Sequence, residues 1–152
     1  MNPQSTPTAI MAVQPDSPEA MARVLAMMIV TDTELDPREL RMLDELDAFA
    51  RIGISRARFL STARGYCADL RRRMGDRPLL HLSDVGLIDE VLAPVKDPAK
   101  RLLVARLSAA IITADGCVQD IERLVFDHLL CRWGLTRGDI SRAIREDRAQ
   151  VA

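Results

Sequence analysis

The chain has 152 residues, 48% of them apolar but only 3% aromatic, and carries a formal charge of −1. That length suits one domain with a self-sufficient core, and the composition makes the core aliphatic and helical, since strands favour aromatic and β-branched residues. The near-zero charge excludes a global field for nucleic acid or membranes.

Three cysteines (Cys67, Cys117, Cys131) with no CxxC pair exclude a zinc framework and a disulfide scaffold. Reduced, mostly buried thiols in a cytoplasmic protein are the expectation. No apolar run approaches the ~18 residues of a membrane span. Nineteen of the 21 basic residues are Arg, a composition that points to a GC-rich bacterial genome.

Residues 1–15, with three Pro, read as a flexible lead-in to one helical domain over 16–152. Asp16-Ser17-Pro18-Glu19 starts a first helix: a cap, then Pro at the first helical position. It runs to about Val30 with Met21, Val24, Leu25, Met28 and Ile29 on one face. Asp36-Pro37-Arg38-Glu39 starts a second helix that continues through Leu46 and Phe49 to a stop near Gly53. Ser55 caps a third, with Phe59, Ala63, Tyr66, Cys67 and Leu70, ending near Gly75. Residues 75–97 are the hardest stretch to read; Ser83 caps a short fourth helix that ends before Pro94. Asp97-Pro98 starts a fifth helix to about Thr113, a sixth spans about Asp120–Trp133 before Gly134, and Thr136 caps a seventh toward Ala149.

The fold class predicted is an all-α bundle of about seven helices with an internal pseudo-twofold repeat. Asp32 matches Asp115 and Glu39 matches Glu122 at one common offset; Gly53 matches Gly134 at an offset shorter by two. Repeat one covers about 18–75 and repeat two about 97–149. Each copy reads helix, acidic turn, helix, Gly stop, capped helix, and one copy alone has no partner for its apolar face.

Charge is segregated along the chain. Residues 32–47 hold seven acids against Arg38 and Arg41, whereas 51–77 hold eight Arg against Asp69 and Asp76. Asp36 and Glu39 suit a capped helix start. Asp32 and Asp115 do not, because they follow helix C-termini, where negative charge opposes the helix dipole. A turn-forming side-chain contact or a bound cation are the two explanations. An EF-hand is excluded: counted from Asp32, position 12 is Leu43, and counted from Asp115 it is Phe126. Four carboxylates, Asp32, Glu39, Asp115 and Glu122, form a candidate metal set if the repeats face each other.

The phrase Ile111-Ile112-Thr113-Ala114-Asp115-Gly116-Cys117-Val118, with Glu122 seven places after the Asp, resembles the signature of the TerB-like family associated with tellurite resistance. The stretch from Thr31 to Glu39 is similar but has Thr33 in place of Gly. The resemblance implies a compact seven-helix fold, a composite acidic site for a divalent cation such as Ca²⁺ or Mg²⁺, and a non-enzymatic stress-related role with a protein partner.

A second reading needs no metal: the acids are caps, and Arg71, Arg72 and Arg73 on the third helix dock a partner protein. The opposing view of those arginines is a solvated face paired with the acidic stretch. An enzyme is the third possibility, resting only on paired carboxylates. His81 and His128 have no catalytic neighbour in the sequence and read as structural.

Overall fold

The computed structural model describes residues 13–29, 37–74, 85–113 and 120–151. Among them the chain is all-α, with eight helices: α1 (Pro18–Ile29), α2 (Pro37–Glu45), α3 (Ala48–Ile52), α4 (Arg56–Met74), α5 (Val85–Leu92), α6 (Pro98–Ile112), α7 (Asp120–Trp133) and α8 (Arg137–Val151). Ser83, expected to cap α5, lies outside the described residues.

Capping chemistry sets several of these boundaries. Ser17 Oγ accepts the Ala20 N–H at 3.1 Å, Ser55 Oγ accepts that of Arg58 at 3.1 Å, and Asp97 accepts that of Lys100 at 3.1 Å. At α8 the cap is reciprocal: Thr136 Oγ1 accepts the Asp139 N–H at 3.0 Å, and Asp139 accepts the Thr136 N–H at 2.9 Å. This is a capping box with Asp in the place usually held by Glu or Gln. These hydrogen bonds hold the Asp139 carboxyl below its ordinary range.

Gly53 and Gly134 end their helices in the left-handed region, at φ 82° and 68°. In both, the Gly N–H reaches back three residues and the next N–H reaches back five: Ile54 to Phe49 O at 2.9 Å and Leu135 to Leu130 O at 2.9 Å. This is the Schellman stop.

The expected second helix is interrupted. Asp47 takes φ 56°, ψ 34°, and its side chain caps nothing, so α2 and α3 are separate. The apolar periodicity of Leu40, Leu43 and Phe49 does not register a single left-handed residue, because the break rotates the helix without removing its apolar face.

Helix α1 is the centre of the molecule. Every residue from Ala20 to Ile29 is buried, not the single apolar face that the periodicity predicts. A helix buried all round needs neighbours on all sides. It packs against α4, α6 and α5, with α3 and α7 also in contact. Helix α6 packs against α1, α7, α8 and α2. The core is aliphatic, as the composition predicts, and all five aromatic residues are buried in it. Phe49 and Phe59 stack at 4.9 Å between centroids, and Arg101 lies 5.7 Å over the Trp133 ring. Val13 packs against this core from the chain's N-terminal side. Cys67 is buried, but Cys131 is exposed, against the expectation of mostly buried thiols; Cys117 lies outside the described residues. No helix among the described residues is long and apolar enough to cross a membrane.

Asp16 ties the starts of the two central helices together. Its carboxylate accepts the N–H groups of Lys96 at 2.6 Å and Asp97 at 2.9 Å, and its own N–H donates to Pro94 O at 2.9 Å. Lys100 Nζ returns to Asp16 O at 2.7 Å. Ser17, and not Asp16, is the side chain that caps α1.

Two expected outcomes follow from the left-handed residues Asp16 and Asp47. Backbone hydrogen bonds from Asp97 and Lys96 hold the Asp16 carboxyl below its ordinary range. A depressed folded-state pKa adds stability above the unfolded-state pKa, and that stability is lost as pH falls through the folded value. The stability gap between wild type and Asp16→Ala, measured by urea unfolding, is therefore constant from neutral pH to roughly pH 4 and closes in stronger acid. Asp47→Gly, in contrast, removes left-handed strain at a side chain that caps nothing. Thermal unfolding should show it more stable than wild type by up to about 1 kcal/mol.

Candidate functional site

Of the four expected metal ligands, Asp32 and Asp115 lie outside the described residues. Glu39 sits in the first turn of α2 and is buried, one helical turn before the buried Leu43. Helix α2 packs on α6, so Glu39 belongs to the face turned inward. Glu122 is the third residue of α7, and its side chain lies outside the described residues. Among the described residues no group of three or more His, Cys, Asp or Glu side chains is placed to hold a metal ion.

The arginines of the third predicted helix lie on α4. Arg56 pairs with Asp44 at 3.2 Å, the link expected between the basic helix and the acidic stretch. Arg58 pairs instead with Glu19 at 2.8 Å, on α1. Arg71 and Arg72 are exposed near the end of α4, Arg72 beside the buried Asp69. The side chain of Arg73 lies outside the described residues.

His128 is structural, and its partner is on α5. Its Nε2 lies 2.7 Å from Asp89, which also takes Arg132 Nε at 3.2 Å. Helix α5 seats Leu87, Ile88, Val91 and Leu92 in the core and offers Asp89 to α7. The neighbouring Glu90 acts electrostatically on Arg23, which is only 5% exposed within α1. Burial lowers the Arg23 pKa, while Tyr66 and Glu90 oppose that shift. An arginine remains charged under such a shift. Burial also pushes the Tyr66 hydroxyl far above its ordinary value, so it stays neutral. The two acids of α5 thus act on arginines from two different helices.

A pocket of about 620 Å³ opens between α3, α6, α7 and α8. Leu107, Ile112, Phe126, Ile140 and Ile144 supply apolar walls, and Leu46 closes the edge from the turn between α2 and α3. Every charged residue that lines it is an arginine: Arg51, Arg106, Arg123 and Arg137. Arg106 donates to Ala143 O at 3.3 Å, and Arg137 pairs with Asp127 at 2.6 Å. Apolar walls with convergent cations suit a ligand that is apolar on one side and anionic on the other.

The sequence reading missed this pocket. Its arginines are scattered over four helices, so no local cluster marks it. The signal that was present lies in matching spacings along the sequence. Arg106 stands at the offset of Asp115 from Asp32 when counted from Arg23, and Arg132 at the offset of Gly134 from Gly53 when counted from Arg51.

The seat of α5 has a measurable electrostatic part. Asp89→Ala removes both links to α7, and chemical unfolding should show a loss of about 1 kcal/mol. The loss should shrink in 1 M salt, where charges screen each other within about 3 Å.

Compared with protein-family models, curated proteins and solved structures, the chain matches none.

Proposed function

We propose that the chain is a non-enzymatic, TerB-like protein of two helical repeats that binds a divalent cation, Ca²⁺ or Mg²⁺, and a protein partner. The cation site combines Asp32 and Glu39 of the first repeat with Asp115 and Glu122 of the second. One observation carries this reading. The starts of α1 and α6 are tied through Asp16, and the two helices pack on each other, so they run in the same sense. Each of them leads into one of the two acidic turns.

Further support for two repeats comes from their matching hydrogen bonds. The Schellman stop at Gly53 and the cap at Ser55 have the same partners as the stop at Gly134 and the cap at Thr136, position for position. The packing follows the same exchange: α1 with α4 answers α6 with α8, and α2 on α6 answers α7 on α1. The offset between the copies shortens by two across the one helix that is broken at Asp47. The extra length of the first copy is absorbed there. A stress-related role, such as tellurite resistance, rests on the family resemblance of the two acidic turns. Cytoplasmic, bacterial origin rests on composition.

Hard cations bind through several oxygens, and a ligand that binds only the folded state stabilises it. Calcium or magnesium at 100 times its dissociation constant should raise the unfolding free energy by about 2.7 kcal/mol. Asp115→Asn and Asp32→Asn should each remove that gain. If neither cation moves the melting temperature or the NMR signals of the turns, the cation reading fails. Docking through the exposed Arg71 and Arg72 with Arg73 then becomes the better account.

A further inference from the structure

We infer that the arginine-lined pocket between α3, α6, α7 and α8 receives a short acidic amphipathic helix from a partner protein, in the way that the chain seats its own α5. The inference rests on the two-repeat reading above and gives that reading's partner a site and a chemistry.

The pocket is the repeat counterpart of the seat that α5 fills. On α1, the residues Arg23, Ala26 and Met27 share one face, and all are buried. Their counterparts in the second repeat, Arg106, Ala109 and Ala110, share one face of α6, are only half-buried, and line the pocket. Helix α5 packs on α1 and α7. Exchanging the repeats turns that pair into α6 and the α2–α3 segment, and both contribute walls to the pocket. No described helix occupies that position.

The charges repeat with the geometry. The acids of α5 meet two arginines: Asp89 pairs with Arg132, and Glu90 acts on Arg23. The first-repeat counterpart of Arg132 is Arg51, and the second-repeat counterpart of Arg23 is Arg106. Both line the pocket. Arg123 adds a further cation at the wall, and it has no ion-pair partner among the described residues. The second seat therefore keeps both arginines of the first and adds Arg123. Where His128 helps hold Asp89, the first repeat has Asp47, an acid that gives no equivalent hold.

Helix α5 is thus an internal template for the occupant. Its core sequence, Leu87-Ile88-Asp89-Glu90-Val91-Leu92, places apolar residues in two adjacent pairs one turn apart, with two acids between them. A helix laid into a groove is read through such spacing. Replacement of Met27 by Ala110 deepens the second seat, so the partner's apolar residues can be larger than those of α5.

The test uses a fluorescein-labelled synthetic peptide with the sequence of residues 84–95, titrated with the full chain and read by fluorescence polarisation. Saturable binding is expected. Ala110→Phe, which fills the pocket, and Arg123→Glu, an exposed change that spares the core, should each weaken it at least about tenfold. A peptide with Lys at both acidic positions should lose binding to a similar degree. Arg132→Ala, at the seat of α5 itself, should leave it unchanged. Thermal melts of each variant separate a lost site from a lost fold.

Absence of binding overturns the inference. So does binding that Arg132→Ala weakens and Ala110→Phe and Arg123→Glu do not, because the peptide would then be exchanging with the chain's own α5. Binding of decanoate without binding of the peptide also overturns it, in favour of a small amphiphilic anion. Peptide titrations in EDTA and in calcium keep the two proposals apart: failure of the cation effect leaves peptide binding intact, and failure of peptide binding leaves the cation titration as it was.

Discussion

Burial of α1 on every side is the constraint from which the rest of the molecule follows. Ten successive residues from Ala20 to Ile29 are out of water, so α4, α6, α5, α3 and α7 must all find places around one short helix. Each fully buried Val, Leu, Ile or Met contributes about 1.5–3 kcal/mol, so this helix is a large source of stability. It also explains why Arg23 is tolerated there. The guanidinium is reached by Glu90 and the neutral Tyr66, and its aliphatic stem packs like a hydrocarbon.

The second central helix is less fully enclosed. Helix α6 packs against α1, α7, α8 and α2, but Arg106, Ala109 and Ala110 on one face are only half-buried. A helix needs as many neighbours as it has apolar faces. A helix face without a helical neighbour either becomes polar or stays available. Here Ala109 and Ala110 stay half-buried beside Arg106, and they line the pocket.

The acidic stretches of the sequence and the pocket are composed differently. The turns follow from residues within a few positions of one another, and the buried Glu39 shows how one carboxylate of that set is drawn inward by the packing of α2 on α6. The pocket gathers residues from Leu46 to Ile144. Asp16 joins the starts of α1 and α6, the two helices at the centre of the frame.

Local chemistry was legible in the sequence wherever a side chain acts on its own backbone. Ser17, Ser55, Asp97 and Thr136 cap as their residue types require, and Gly53 and Gly134 stop helices because only glycine enters the left-handed region without strain. The all-α class followed from the 3.6-residue periodicity and the scarcity of aromatic residues. Four features were decided by tertiary structure. The break at Asp47 leaves periodicity unchanged, so nothing local announces it. Burial of α1 on all sides depends on how many helices arrive, not on its own pattern. Asp16 belongs to the predicted helix start, yet its carboxylate is taken by the amides of Lys96 and Asp97, more than half the chain away. The pocket needs arginines from α3, α6, α7 and α8 to converge, and convergence is a property of the packed chain alone.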